Sequence, residues 1–252
     1  MALATKKASS FPLLLFTAIS IFFMNPLNSA IDTFVFGGSS RLKFISGSPY
    51  EFNVNSILNS LVNSAMFTFY NNFTIPASQD TVYGLFQCSG DLNNGDSGRC
   101  VAKAVRQLGT LCLDSTGGVM ELERCFVKYD NTTFVGVEDK TVVVRRCGPL
   151  ISSSSDELAR RDAVLGFLGA SDMTYKPFRI GGSGDLRGVA QCIGDSSPGE
   201  CQDCLSEAIR RLKTRVLNYG YGYVFDHFVF IAITFITGAF AARHGYYYEC
   251  SG

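Results

Sequence analysis

Apolar and polar residues alternate along this chain in two rhythms, one helical and one extended. Val54, Ile57, Leu58, Leu61, Val62 and Ala65 fall on one face of a helix, and Ser48-Pro49-Tyr50-Glu51 ahead of them is a capping box with proline at the first helical position. Cys201, Cys204, Leu205, Ala208, Ile209 and Leu212 mark another such face, and Ser197-Pro198-Gly199-Glu200 caps it in the same way. Asp156 to Leu168 reads as a further helix, with Leu158, Leu165 and Leu168 on one side. Between these lie extended patterns. Residues 31 to 47 read as an opening strand and loop, and Thr81 to Cys88 is β-prone. Gly117 to Val137 holds strand patterns, including Cys125-Phe126-Val127-Lys128-Tyr129-Asp130, and Thr141 to Arg146 is another strand. The order is strand, helix, strand, helix, strands, and it occurs twice. Two helices on one antiparallel sheet per unit is the economical packing, so an α+β architecture is expected.

The second run of elements copies the first. Gly84-Leu85-Phe86-Gln87-Cys88 through Leu108 aligns without a gap to Gly188-Val189-Ala190-Gln191-Cys192 through Leu212, at an offset of 104 residues. Gly, Gln, Cys, Gly and Asp recur at 84/188, 87/191, 88/192, 90/194 and 91/195. Cys100 matches Cys204, Ala104 matches Ala208, Arg106 matches Arg210 and Leu108 matches Leu212. A repeat this long means two homologous units in tandem, with equivalent helices expected at 97–111 and 201–215. The second copy reads Cys192, eight residues, Cys201, two residues, Cys204; the first has Ser97 where the middle cysteine would stand. The expected boundaries are 31–140 for the first unit and 141–217 for the second.

Residues 218–252 form an atypical apolar tail. Val229 occupies the offset position of Cys125, within Phe228-Val229-Phe230-Ile231-Ala232-Ile233-Thr234-Phe235-Ile236, so the second unit is expected to be incomplete at its C-terminus. Phe228 to Ala242 is a run of 15 uncharged residues, short of the roughly 20 that a membrane-spanning helix needs. Extending it back to Val224 takes in Asp226 and His227, both costly at bilayer depth. A β-rich core segment, a membrane anchor and sequence foreign to the domain all fit the run.

Composition narrows the class. At 252 residues and 46% hydrophobic the chain can bury two modest cores. Its net charge is zero and it has no basic run, which argues against nucleic acid as a partner. Lys6 and Lys7 precede the apolar run Phe11 to Met24, and Asn28-Ser29-Ala30 ends in a small residue. Residues 1–30 therefore read as a secretory signal peptide cleaved after Ala30, in preference to a membrane anchor. Secretion makes disulfides the default reading of the nine cysteines, and an odd count leaves at least one outside an intrachain pair. Asn72-Phe73-Thr74 and Asn131-Thr132-Thr133 are N-glycosylation acceptors on that route.

The tandem Cys-x8-Cys-x2-Cys spacing behind a signal peptide resembles the plant stress-antifungal domain, also called the ginkbilobin-homologous domain. Further matches are Thr33-Phe34-Val35-Phe36-Gly37-Gly38, Ser48-Pro49-Tyr50, Cys125-Phe126-Val127-Lys128-Tyr129 and Arg160-Arg161-Asp162-Ala163-Val164-Leu165-Gly166. Two such domains without a kinase resemble the plasmodesmata-located proteins, also described as cysteine-rich repeat secretory proteins. The resemblance implies two helices on a five-stranded antiparallel sheet per unit, and three disulfides per unit. Carried onto this chain, it implies Cys100–Cys125 and Cys192–Cys201 as disulfides. Ser97 removes the partner of Cys88, and Ser39 that of Cys112. Val216 replaces the partner of Cys147, and the altered tail removes that of Cys204, with Cys250 as a substitute.

Candidate chemistry is sparse. Cys192, Cys201, Cys204 and His227 have the residue types of a zinc site, and Cys201-x-x-Cys204 has the spacing of a redox pair, but in a secreted chain disulfides and buried thiols account for both. The only histidines, His227 and His244, lie in the tail, so no base stands near a nucleophile. Glu121 and Glu123 alternate with Met120 and Leu122 and read as the wet face of a strand. No catalytic, metal or cofactor site is expected. The antifungal member of the resembling family binds mannose through an Asn, an Arg and a Glu whose positions here are Ser40, Val119 and Asp130; Asp130 alone keeps a glycan-contact role. The resemblance implies a non-enzymatic protein of the plant cell surface that sits at plasmodesmata and regulates cell-to-cell trafficking. Its expected partners are cell-wall glycans or other cell-surface proteins, with membrane association through the C-terminal tail. The alternative is a soluble apoplastic antifungal lectin.

Overall fold

The computed structural model describes residues 33–78, 81–137, 142–147, 155–171, 176–184, 186–215, 222–226 and 229–235. In the first unit, strand β1 (Phe34–Ser39) leads to helix α1 (Pro49–Ser64), then β2 (Tyr70–Ile75), β3 (Val82–Cys88), helix α2 (Asn94–Leu111), β4 (Gly118–Leu122) and β5 (Cys125–Asp130). The second unit repeats the order with β6 (Val142–Cys147), α3 (Ser155–Gly169), β7 (Phe178–Ser183), β8 (Leu186–Cys192), α4 (Pro198–Arg215), β9 (Gly222–Asp226) and β10 (Val229–Phe235). The two sheets have the same antiparallel topology, β1-β4-β5-β3-β2 and β6-β9-β10-β8-β7.

Local chemistry starts the helices. Ser48 Oγ accepts from Glu51 N–H, and the Glu51 carboxylate accepts from Gly47 N–H at 2.6 Å. At α4 the box is reciprocal, Ser197 N–H donating to Glu200 at 2.8 Å and Glu200 N–H donating to Ser197 Oγ at 3.3 Å. Asn93 caps α2 by accepting from Asp96 N–H at 2.9 Å. These caps start α2 and α4 one turn earlier than the apolar stripe alone indicates. The repeated Gly84/Gly188 also has a physical reason. A Cβ on Gly188 would lie 2.5 Å from Val164 Cγ1, and one on Gly84 3.1 Å from Ile57 Cδ1, so in each unit the first helix settles directly onto the strand at that glycine.

Each unit has its own core. In the first, Ile57, Leu61, Phe86, Val101, Leu108 and Met120 are among the residues buried between helices and sheet. In the second, Leu165, Leu168, Leu186, Leu205 and Leu212 play that part. A third, smaller cluster of Leu85, Phe126 and Ile193 lies on the opposite face of the first sheet, with Tyr70, Val119, Phe134 and Val135 packed against it. Ile193 comes from the second unit, so this cluster joins the two.

The α+β class holds, and the structure differs from expectation at the C-terminal end. Part of the stretch set aside as an atypical tail supplies β9 and β10, giving the second sheet five strands. The boundary expected at residue 217 therefore moves to at least residue 235. Cys88 pairs with Cys125, and Cys192 with Val229; Gly118 pairs with Tyr129, and Gly222 with Ile233. All follow the offset of the repeat. The run Val229–Phe235 is apolar but for Thr234, and rich in β-branched and aromatic residues, because β10 lies in the middle of the sheet, between β9 and β8, with α4 packed on it. Of the three readings of the run, the β-rich core segment matches these residues; those beyond 235 lie outside the described part, as does the signal peptide expected at 1–30. No helix among the described residues is long and apolar enough to cross a membrane.

Candidate functional site

The repeated Gln and Gly residues meet at the joint between the units. Gln191 Oε1 accepts from Gly90 N–H at 3.2 Å, and Gln87 Oε1 accepts from Gly194 N–H at 3.0 Å. Each glutamine thus serves the glycine of the other copy. Their amide nitrogens converge, both donating to Cys88 O at 2.8 Å. The same glycines admit aromatic rings across the joint. A Cβ on Gly90 would lie 2.7 Å from Phe178 Cγ, and one on Gly194 2.4 Å from Tyr70 Cγ. Tyr70 and Phe178 are themselves equivalent, each pairing with the glutamine of its own unit. The two repeat aspartates differ. Asp195 reaches across the joint to accept from Gly136 N–H at 2.8 Å. Asp91 stays within its unit, accepting from Ser89 Oγ at 2.6 Å and pairing with Arg124. Burial pushes the Asp91 carboxyl up, but the Ser89 hydrogen bond and the Arg124 charge outweigh it and hold it below the usual range. Burial, aided by the Asp195 charge and opposed by a hydrogen bond from Asn72, pushes the Tyr70 phenol up to about 12.

A cavity of about 40 Å³ lies within this joint, lined by Gln87, Cys88, Glu121, Arg124, Gln191 and Cys192 among others. Glu121 was expected on a wet strand face; it is 5% exposed instead. The period-2 pattern does put it opposite the helices. What covers that face is the second unit, which strand periodicity does not reveal. Its Oε2 has no hydrogen-bond partner, and burial raises its pKa well above the usual carboxylate value. Glu123 is half-buried and also raised by burial, with Arg124 opposing. Among the described residues no group of His, Cys, Asp and Glu could hold a metal.

The cysteines surround the same region. Cys100 and Cys125 form a disulfide with Cα atoms 6.1 Å apart, and Cys192 and Cys201 one with Cα atoms 5.6 Å apart. Cys201 is therefore committed to Cys192 rather than to a redox pair with Cys204, a buried thiol. Cys88 Sγ donates to Ser97 O at 3.9 Å, and burial pushes this thiol up to about 12 despite that bond. Ser97 is fully buried and its Oγ has no partner. Cys112 Sγ donates to Gly38 O at 3.3 Å, while neighbouring Ser39 is exposed. The side chain of Cys147, and all of His227 and Cys250, fall outside the described residues.

The positions of the resembling sugar site come together, but their polar groups are engaged. Ser40 N–H donates to Gly117 O at 2.8 Å, and Ser40 Oγ accepts from Leu42 N–H and from Thr116 Oγ1. On the other side of Gly117, Asp130 Oδ1 accepts from the N–H and hydroxyl of Thr132 at 3.0 and 2.9 Å. Val119 lies in β4 opposite Lys128 and supplies no donor. Lys128, which sequence reasoning passed over, is the nearest cation by register, and its Nζ sits 4.3 Å from the centroid of the Phe134 ring. Of the two acceptor asparagines, Asn131 is exposed in the turn after β5. Asn72 is half-buried in β2, its Nδ2 donating to Tyr70 Oη at 2.9 Å.

Comparison with known proteins agrees with this architecture. The family model described as salt stress response/antifungal matches residues 38–132. Arabidopsis thaliana plasmodesmata-located protein 6 is 57% identical over 203 residues, covering 79% of this chain and 70% of that protein. Plasmodesmata-located protein 5 of the same plant is 42% identical over 225 residues, covering 87% and 74%. The crystal structure of the tandem DUF26 ectodomain of the Arabidopsis thaliana cysteine-rich receptor-like protein PDLP5 aligns with a TM-score of 0.76 at 41% identity, covering 81% of this chain and all of that one. The corresponding ectodomain of PDLP8 aligns with the same TM-score at 31% identity. With a relative 57% identical and covered over 70% of its length, the chain belongs to the plasmodesmata-located protein family.

Proposed function

We propose that this protein is secreted, sits at the cell surface at plasmodesmata, and regulates cell-to-cell trafficking without catalysis, through contacts of its two units with cell-surface proteins or wall glycans. The observation that carries this reading is the 57% identity to a plasmodesmata-located protein over 203 residues that include both units. The ectodomain described for the solved relative supports a binding role over an enzymatic one. The joint supports it as well: two units tied by paired hydrogen bonds and interlocking aromatics present one composite surface. On this reading residues 1–30 are removed as a signal peptide, Asn72 and Asn131 carry N-glycans, Asp130 stands at a glycan-contact position, and the C-terminal tail associates with membrane.

The test is a fluorescent fusion of the full chain imaged against callose staining in plant tissue. Punctate overlap is expected. Uniform labelling of the wall space would refute the plasmodesmal reading and favour an apoplastic antifungal protein.

A further inference from the structure

Glu121 stands on β4 at the joint, its side chain buried and its Oε2 without a hydrogen-bond partner. Its neighbours across the sheet are Phe36 on β1 and Phe126 on β5. The fold does not ask for an acid here. Phe225 holds the same place in the second copy, opposite Phe230 as Glu121 is opposite Phe126. The ionisable groups around Glu121 do little to answer its charge. On the turn between β4 and β5, Arg124 is paired with Asp91, and Glu123 is a second acid. On β3, Cys88 is a thiol that burial keeps neutral. On β5, Lys128 lies further along the same face with its Nζ over the Phe134 ring. Strand β1 carries no ionisable residue. The second unit closes the cavity of about 40 Å³ with Gln191, Ile193 and the disulfide-bonded Cys192, none of which ionises.

We propose that Glu121 is a proton-operated latch on the joint: protonated, it lets the two units close over it, and ionised, it makes them part while each stays folded. A carboxylate taken out of water needs hydrogen-bond donors. The closed cavity gives its Oε2 none from the protein and has room for only a few water molecules. Parting the units returns the group to solvent. The ties across the joint are modest: the N–H groups of Gly90, Gly194 and Gly136, the Gln191 amide on Cys88 O, two ring contacts and the small cluster around Ile193. Each unit meanwhile keeps its own core and its own disulfide. Burial raises the Glu121 pKa well above the usual carboxylate value. The closed form is therefore favoured below that usual value and is lost as pH rises through the folded pKa. Closing binds one proton in between, so each pH unit there shifts the balance of closed and parted forms about tenfold. The latch stands on the tandem fold alone and goes beyond the plasmodesmal reading.

The test is amide hydrogen exchange of the full secreted protein over a pH series, read by mass spectrometry and corrected for the intrinsic pH dependence of exchange. Protection of the segments holding Gly90, Gly136 and Gly194 should fall about tenfold per pH unit through the transition, while amides in the middle of α2 and α4 keep theirs. Small-angle X-ray scattering should show the radius of gyration rising over the same interval. Neither Glu121→Gln nor Glu121→Met can ionise, and in both the joint's protection should stay level with pH; either variant decides if the other fails to fold. Glu123→Gln should keep the fall seen in the unmodified protein. Joint protection in the unmodified protein that does not respond to pH would overturn the proposal, as would a fall that persists in a folded Glu121 variant. Loss of protection in α2 and α4 together with the joint would mean unfolding rather than parting and would also overturn it. So would a fall that Glu123→Gln abolishes.

Discussion

Replacing Ser97 with cysteine should restore a crosslink that the first unit lacks. Cys88 and Ser97 are the counterparts of Cys192 and Cys201, which are bonded across a sequence separation of 9. The backbone is already in place: Cys88 Sγ lies 3.9 Å from Ser97 O, and the flanking strand and helix keep the register of the second unit. Closing a loop of that length removes about 2.6 kcal/mol of unfolded-chain entropy at 25 °C. The substitution also removes a buried hydroxyl without a partner, and such a group costs roughly 1–3 kcal/mol. Against a domain stability of roughly 5–15 kcal/mol the gain is large, equivalent to a rise in Tm of about 10–20 °C for a unit of this size. Non-reducing peptide mapping should find the new Cys88 bond, and thermal unfolding should show the rise without reductant and lose most of it with reductant. Ser97→Ala separates the two contributions, because it removes the hydroxyl and adds no bond. An introduced thiol that stays reduced in secreted protein, or a bond that forms with no rise in Tm, would show that the shared register does not carry shared geometry.

Glu121 makes stability depend on pH. Burial holds its folded pKa well above the usual carboxylate value. Its contribution is therefore fully present below that value and is lost as pH rises through the folded pKa. Urea titrations from acid to neutral pH should show this fall, and Glu121→Gln should flatten it; an unchanged slope in the variant would reject the assignment. Gln87→Ala and Gln191→Ala each leave a glycine N–H without its acceptor at the joint, and each should cost on the order of 1–3 kcal/mol in thermal or chemical unfolding. Gly194→Ala presses a methyl into Tyr70 and should loosen the joint, read as faster proteolysis between residues 137 and 155. Calorimetric titration with mannose should show no specific binding, because Ser40 and Val119 stand where the resembling site has Asn and Arg.

The fold was legible where local and global signals agree. The caps at Ser48 and Ser197 and the apolar faces at 54–65 and 201–212 need only one helix to be read, and the helices lie there. The closing strands of the second unit were harder to read. Val229–Phe235 has the composition of a membrane segment and of a central strand alike, and sheet pairing, which links distant residues, decides between them. The joint was visible only as a recurrence. Gln87 and Gln191 stood out as repeated residues, but nothing in either copy tells that each accepts from the glycine of the other copy. Glu121 misled for the same reason, its cover being supplied by residues some 70 positions away.

The exchange of hydrogen bonds at the joint has a consequence for the units in isolation. Gln87 and Gly90 both belong to the first unit, yet each is satisfied by the second. A first unit expressed alone therefore displays both halves of a complementary pair, next to the apolar surface of Leu85 and Phe126. Two copies related by a two-fold axis bring the glutamine of each to the glycine of the other, so a solitary unit is expected to self-associate as a symmetric dimer that imitates the tandem chain. The covalent tandem is in this sense a dimer fused into one polypeptide, and the fusion has freed its halves to diverge: one keeps Lys103 beside Arg106, the other Glu207 beside Arg210.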